Sequence, residues 1–460
     1  MNFAFYDLET TGVSTAFDQP LQFAAILTDA NCNEIERVNL RCRLAPSIIP
    51  SPKALAVTGL HPAQLLDPTL PNYFEFTQSL AQLLKRWSPA IWTGFNSIRF
   101  DEEILRQAFY QNLQPDIFAT QINGNTRFDI ITAVYAVWCR RPDLFEWPVD
   151  ESGVLRFNLD RLAPLNGFSG HNAHDALGDV EATIFIARRI AEREPDLWAE
   201  LLSSRNKGHV QSLLESFKPL ELVSRFGSGP PQVTTGCLCG YSSSNPNQAF
   251  FFDLDAVDPS ELITADEEVL AGQLEATPRI IRSVSINKSP ALLTAQDTTE
   301  QQVRRGTLIA DAPQFRERLA RVMAARYPQL SDTAHLPVEN RIFGGFYTWS
   351  DKALLKEFQN ADWRHRQEIV SSFEDVRLRQ LGHRLIAFYA KDLLSEGEKR
   401  RYEDWRNERW RTPDQLETEW MSIDKARKSL KELKTEAVYD RDMLDEIELF
   451  LTDWFGARET

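Results

Sequence analysis

Apolar and polar positions along this chain follow two periods. In the first 195 or so residues, short apolar runs predict strands over Asn2–Asp7, Gln22–Thr28, Val38–Leu44 and Ala90–Phe95. Between and after them, apolar residues recur every three or four positions. That spacing predicts helices over Phe74–Trp87, Asp101–Gln111, Asp129–Cys139, Leu159–Leu165 and Ala176–Glu194. Short links join the first three strands, which predicts an antiparallel meander that Ala90–Phe95 joins after a helix. Strands followed by interleaved helices predict an α/β unit over residues 1–194, a mixed sheet with helices on both faces. Pro46, Pro50 and Pro52 interrupt the chain after the third strand, and a turn-rich loop from Gly153 to Asn158 precedes a short helix.

The texture then changes. Helical spacing persists over Leu197–Phe217, but Gly227-Ser-Gly-Pro-Pro231 and Ser242-Ser-Ser-Asn-Pro246 are turn clusters. Ala249–Leu254 and Arg279–Ile286 read as strands rich in Phe, Ile and Val, so residues 195–335 predict a small β-rich unit with added helices. Ala312–Arg326 predicts a helix leading out of it. Residues 338–460 are helical in pattern almost throughout: Asp351–Phe358, Trp363–Glu374, Val376–Leu394, Glu398–Arg411, Pro413–Leu433 and Asp440–Trp454. Lys399–Trp410 mixes both charge signs with aromatics and reads as an exposed, salt-bridged helix.

Length and composition fit this division. A chain of 460 residues is too long for one core, and 43% hydrophobic residues with 28 Phe and 11 Trp can fill several. No apolar run approaches the ~18 residues that cross a bilayer. The first strand begins at Asn2, which predicts no leader peptide. Five scattered cysteines, with Cys237 and Cys239 one residue apart, match no zinc or disulfide framework and read as reduced thiols of a cytoplasmic protein. The net charge of −15 argues against affinity resting on broad phosphate neutralisation. It does not exclude a narrow single-strand channel lined by a few bases and aromatics.

The chemistry gathers at Tyr6-Asp7-Leu8-Glu9-Thr10-Thr11-Gly12. Side chains alternate along a strand, so Asp7 and Glu9 leave the same face. Two carboxylates held together call for a cation between them, although an isolated Asp-x-Glu also reads as the acidic mouth of an ordinary strand. Partners lie further on. Gly94-Phe95-Asn96-Ser97-Ile98-Arg99-Phe100-Asp101 follows a strand and supplies a third acid, and Asn172-Ala173-His174-Asp175-Ala176-Leu177-Gly178-Asp179 supplies a histidine and a fourth. Helical spacing from Ala176 makes Asp179 a first-turn residue. Five helical residues would turn His174 about 140° away from it, so His174 must reach the site from the preceding loop.

Asp-x-Glu, Asn-x4-Asp and His-x4-Asp in this order resemble the DEDD exonuclease superfamily in its histidine-containing branch. Phe23-Ala24-Ala25-Ile26, Thr58-Gly59-Leu60, Arg127-Phe128-Asp129, Ile286-Asn287-Lys288 and the length resemble the bacterial exodeoxyribonuclease I family through most of the chain. The resemblance implies a ribonuclease-H-like exonuclease domain, then an SH3-like domain and a helical C-terminal domain. It also implies 3′-to-5′ degradation of single-stranded DNA to 5′-mononucleotides in repair and recombination, and contact with the single-stranded-DNA-binding protein. No membrane partner is expected, and the chain reads as a monomer.

Four acids suit two Mg²⁺ ions, with Mn²⁺ as the alternative, because hard cations take carboxylates. Asp7, Glu9, Asp101 and Asp179 are therefore the candidate ligands, Asp7 bridging, and His174 is the candidate general base. Asp175 fits a helix N-cap whose side chain accepts a backbone N–H, and Arg127 and Asp129 fit the opening of a helix, with capping the first role for Asp129. Candidate substrate contacts are Glu9, Thr10, Asn96, Arg99, Lys207 and Lys288, with backbone amides of Thr10-Thr11-Gly12 facing a terminal nucleotide. Lys288 reads equally as a solvated charge, and Phe95, Phe100 and Phe157 read as core before stacking surfaces. The competing functions are an RNA-directed or proofreading exonuclease of the same superfamily, which needs only the first unit, and an inactive nuclease fold used as a scaffold.

Overall fold

The computed structural model describes residues 1–169, 175–275, 277, 279–326 and 335–456. Its first sheet has five strands: β1 (Asn2–Thr10), β2 (Pro20–Thr28), β3 (Glu34–Arg41), β4 (Ala90–Gly94) and β5 (Thr126–Asp129). They stand in the order β3-β2-β1-β4-β5. β1, β2 and β3 are antiparallel neighbours, whereas β4 runs parallel to β1 and β5 parallel to β4.

Alternation along β1 sends its side chains to opposite cores. Phe3 and Phe5 pack with Ala24, Ile26 and the helices Ile130–Arg140 and Ala176–Arg193. Ala4, Tyr6 and Leu8 pack with Phe23, Trp92 and the helices Tyr73–Trp87 and Asp101–Gln111. Covered on both faces, the sheet keeps its middle strands almost wholly buried, which is why they read as continuous apolar runs.

Two sequence expectations change here. β3 starts four residues earlier than predicted, because an edge strand with no buried position carries no apolar signature. Arg127-Phe128-Asp129 does not open a helix. It forms β5, a four-residue strand too short for a period to show, and the helix begins at Ile130 with Asp129 as its N-cap. Two short helices, Pro52–Thr58 and Pro62–Leu65, also occupy a stretch read only as proline-broken.

A second five-stranded sheet follows, all antiparallel: β6 (Leu220–Ser224), β7 (Gln232–Tyr241), β8 (Gln248–Asp253), β9 (Ile281–Ser285) and β10 (Leu292–Thr294). β6 to β9 form a meander and β10 returns beside β6, the β-rich body expected from sequence. Its buried Cys237, Cys239, Phe250 and Phe252 pack against Phe315 and Leu319 of the helix Pro313–Arg326. All five cysteines are free.

Among the described residues, six α-helices occupy the C-terminal part: Trp349–Asn360, Trp363–Ser372, Val376–Tyr389, Glu396–Trp410, Ile423–Leu433 and Arg441–Phe450. The predicted helix Pro413–Leu433 begins only at Ile423, and Val376–Leu394 stops at Tyr389. These helices share both their apolar clusters with the first unit. Trp410, Ile423 and Leu444 pack with Leu21, Leu44 and Leu55, and Phe358, Leu378 and Leu381 pack with Phe74 and Tyr110. The Lys399–Trp410 stretch is accordingly two-sided: Lys399 pairs with Glu396 outside, while buried Trp410 donates its indole N–H to the Ser47 carbonyl. Among the described residues no helix is long and apolar enough to cross a membrane.

Candidate active site

The acids gather where β1 loses a neighbour. β4 pairs with β1 only as far as Phe5 opposite Thr93, while β2 continues to Glu9 opposite Gln22. Past Phe5 one edge of β1 is open, and the odd-numbered side chains Asp7 and Glu9 lie on the face covered by the Ala176–Arg193 helix. Asp179 stands in the first turn of that helix. One oxygen each from Asp7, Glu9 and Asp179 lie within 4.8 Å of one another. Strand period and helix phase thus bring together three of the four predicted acids.

Asp101 starts its helix and is 5% exposed. Its Oδ1 accepts the Leu8 amide at 3.2 Å, between Asp7 and Glu9 along the strand. The chain reaches it through a tight turn. Gly94 passes so close to β1 that a Cβ would lie 2.5 Å from the Tyr6 carbonyl oxygen, and Asn96 sits in the left-handed region at φ 65°. Asp129 fixes that turn. It accepts the amides of Asn96 at 2.8 Å and Ile98 at 3.0 Å as well as that of Ile131 at 3.2 Å. Sequence reasoning found its capping bond; the link to the turn depends on β5 lying beside β4 and has no local signal.

Electrostatics show what the cluster lacks. Loss of water, then the charges of Asp101, Asp179 and Glu9, raise the Asp7 carboxyl well above its ordinary range. Burial first and then Asp179 and Asp101 push Glu9 up to about 8, with Arg41 opposing. Asp101 is pushed up to about 8 and Asp129 to about 7, burial being the main cause for both. Hydrogen bonds from Leu8, Ile98 and Asn96 oppose these shifts without cancelling them. Such a cluster favours bound protons or cations, and its all-oxygen donor set fits a hard divalent metal.

Asp175 stands at the N-cap position, yet its side chain makes no capping bond. Its Oδ1 instead accepts from Gln22 Nε2 at 3.0 Å and lies 3.7 Å from Arg41, a tertiary pull that overrides local capping. His174 lies outside the described residues.

The predicted substrate contacts are spread more widely. Asn96 and Arg99 are exposed beside the turn. Thr10 is buried and its hydroxyl donates to the Gly12 carbonyl at 2.6 Å, while the Thr11 amide, expected to face a nucleotide, is taken by the Gln19 carbonyl at 3.0 Å. Lys207 donates to Asn247 at 2.7 Å, on the second sheet's hairpin. Lys288 is exposed and pairs with Glu103 at 3.4 Å, two residues beyond Asp101. Arg127 joins the same seam, donating to the Asn287 carbonyl at 2.8 Å with Glu102 3.4 Å away. The Ile286-Asn287-Lys288 turn is thereby docked onto the acid-bearing unit. Phe157 is core at 2% exposure, and Phe95 and Phe100 are half-buried against the two cores.

The open cleft is lined by Asp7, Asn96, Phe157, Asn158, Asp179 and Arg225. Sequence reasoning missed Arg225, which arrives from the end of β6, some 45 residues past the last acid, with no motif around it.

The Exonuclease family model matches residues 4–187, and the Exonuclease I C-terminal domain model matches residues 337–454. Exodeoxyribonuclease I of Escherichia coli (strain K12) is 30% identical over 404 residues, covering 82% of this chain and 83% of its own. The crystal structure of E. coli exonuclease I in complex with a dA16 oligonucleotide superposes with a TM-score of 0.84 at 28% identity, over 100% of this chain and 99% of that one. A crystal structure of SSB/exonuclease I in complex with an inhibitor gives 0.83 at 27% identity, over 98% and 99%. An acidic cleft at the open edge of a mixed sheet, with such likeness over nearly the whole length, places the chain in the exodeoxyribonuclease I family: it is an exodeoxyribonuclease.

Proposed function

We propose that the chain degrades single-stranded DNA from the 3′ end to 5′-mononucleotides in DNA repair and recombination. The observation that carries this reading is the convergence of Asp7, Glu9 and Asp179 within 4.8 Å, beside Asp101 and open to the cleft. In this reading Asp7, Glu9, Asp101 and Asp179 would hold two Mg²⁺ ions. When bound, such ions supply an activated water and neutralise charge on the attacked phosphate and the leaving oxygen.

The chain's own residues do the rest. His174 takes the proton of the attacking water, a task suited to an imidazole near neutral pH. Asp129 keeps the Asn96–Ile98 turn, and with it Asp101, in place. Asn96, Arg99, Thr10, Lys207 and Lys288 are proposed along the DNA path, Lys288 being paired with Glu103, two residues past Asp101. The partner proposed by likeness is the single-stranded-DNA-binding protein. We divide the chain into an exonuclease unit at 1–194, an SH3-like unit at 195–335 and a helical unit at 338–460, acting as one monomer in the cytoplasm.

The test uses 5′-labelled single-stranded DNA in Mg²⁺ against matching RNA and a blunt duplex, with Asp179→Ala as the inactive control. A ladder shortening from the 3′ end on DNA alone, absent in EDTA and in the variant, is the expected result. Immediate release of labelled mononucleotide would reverse the polarity. RNA cleavage would move the chain to an RNA-directed exonuclease, and binding without cleavage to a scaffold.

A further inference from the structure

Arg225 is the one cation among the described residues lining the acidic cleft. It leaves the end of β6 and crosses from the second sheet to the first unit's helix Ile130–Arg140 and loop 153–158. Its guanidinium lies over the Phe157 ring at 4.9 Å and the Tyr135 ring at 5.8 Å. The Gly227–Pro231 turn grips it from behind: Nε donates to the Gly229 carbonyl at 2.8 Å and Nη2 to the Ser228 carbonyl at 3.4 Å, while Nη1 reaches the Tyr135 hydroxyl at 3.5 Å. No carboxylate pairs with it among the described residues. Three of the guanidinium's five N–H donors are used, which leaves about two for a ligand.

A guanidinium held over the Phe157 and Tyr135 rings by three hydrogen bonds, with no salt-bridged carboxylate among the described residues, in a cleft of about 290 Å³ that Asp7, Asp160 and Asp179 also line, is a fixed anion receptor. In the reading above, metal ions held by the acid cluster would answer the charge of the phosphate being cut, which leaves Arg225 to a second anion. We propose that Arg225 binds the phosphate adjacent to the scissile one and so sets the enzyme's need for a strand rather than a single nucleotide. This rests on the single-strand exonuclease reading above. It assigns the second sheet a part in substrate choice, with the Gly227–Pro231 turn as the mount of its cation.

The experiment compares wild type, Arg225→Gln and Arg225→Lys on a single-stranded DNA oligonucleotide and on a thymidine 5′-aryl phosphate ester, which has no second phosphate. For Arg225→Gln, KM for DNA should rise roughly 10- to 100-fold, the worth of a charged hydrogen-bonding pair. Its kcat should stay within about threefold, and turnover of the ester should not change. Removing one contact to a single strand should lower the slope of log KM against log salt by about 0.7. Arg225→Lys should keep the salt slope and recover part of the KM, since charge survives without the planar fork. Equal losses on DNA and ester, or an unchanged KM and salt slope in a variant with wild-type melting temperature, would overturn the proposal. If Arg225→Gln fails to fold, Arg225→Lys decides, because loss of its salt slope would equally overturn the assignment. A wild-type protein that leaves single-stranded DNA intact would instead refute the parent reading.

Discussion

Replacing Glu9 by Gln should remove activity and yet stabilise the metal-free protein. Oxygens of Asp7, Glu9 and Asp179 lie within 4.8 Å. Two unit charges at that distance repel by about 3–4 kcal/mol at an effective dielectric of 20. Glu9 is 8% exposed, so solvent relieves little of this, and its carboxyl rises from an ordinary 4.5 to about 8. A shift of that size disfavours ionisation in the folded state by roughly 4–5 kcal/mol. The neighbouring acids then ionise more readily, so a net gain of roughly 2–4 kcal/mol is expected for the variant.

The sign follows from linkage. The folded state holds the Glu9 proton more tightly than the unfolded chain does, so wild-type stability present below pH 4.5 is lost as pH rises through about 8. The Glu9→Gln variant would carry no such loss. The two proteins should therefore unfold alike near pH 5, and the variant should lead at pH 8.5, by urea or thermal unfolding in EDTA. Adding Mg²⁺ should reverse the order, because a ligand bound only by the folded state stabilises it and the variant has lost a donor. A variant less stable than wild type at pH 8.5 in EDTA, or a gain equal at both pH values, would refute the reasoning.

His174→Ala should slow single-turnover cleavage by roughly 10²–10⁴-fold with little change in DNA affinity; an unchanged rate would move the base elsewhere. Asp129→Asn should lower kcat about 100-fold with a near-normal Kd for DNA, because the Asn96 and Ile98 amides donate to different oxygens of Asp129, of which an amide keeps only one, and Asp101 shifts with their turn. A kcat within threefold of wild type would show that the turn stands without it. Glu339→Gln should cost roughly 3–5 kcal/mol at pH 7, since Glu339 is buried between Arg384 and Arg409 at 2.7 and 2.6 Å. Those charges and that bonding hold its carboxyl at about 2 against burial, so its contribution is present above the ordinary 4.5 and fades as acid approaches 2. The check is a melting curve of the variant at pH 7 and pH 3, where the deficit should shrink.

What the sequence made legible follows the strength of its periods. β1, β2 and the helices Asp101–Gln111 and Leu159–Leu165 came through because each carries a full apolar face. That Asp7, Glu9 and Asp179 stand close together was legible because strand and helix geometry fix where they lie. β3 and β5 did not, one being an exposed edge and the other only four residues long. Asp175 was placed rightly but partnered wrongly, since Gln22 and Arg41 reach it from strands distant in sequence. Arg225 had no local signal at all: it becomes a cleft residue only through the packing of one sheet against another.

Packing of the C-terminal helices against the first unit makes them part of the site's support. The loop from Thr11 to Asp18 begins two residues after Glu9 and is closed on itself by Asp18, which accepts the Thr11 hydroxyl at 2.7 Å and the Ser14 amide at 2.8 Å. Its far end is held from outside. Phe17 is 7% exposed beneath the Arg409 guanidinium at 4.7 Å and beside Trp420 at 5.4 Å, and Gln111 donates to the Ala16 carbonyl at 2.8 Å. Arg409 is aimed by Glu339, and Glu339 is aligned by its neighbour Val338, whose carbonyl accepts the Tyr110 hydroxyl at 2.8 Å on the Asp101 helix. The strand end that bears Asp7 and Glu9 and the helix that bears Asp101 are thus braced by one set of C-terminal residues. A nuclease unit cut away at residue 194 would expose Leu21, Leu44, Leu55, Phe74 and Tyr110 and lose this brace. The later segments therefore stabilise the geometry of the acids.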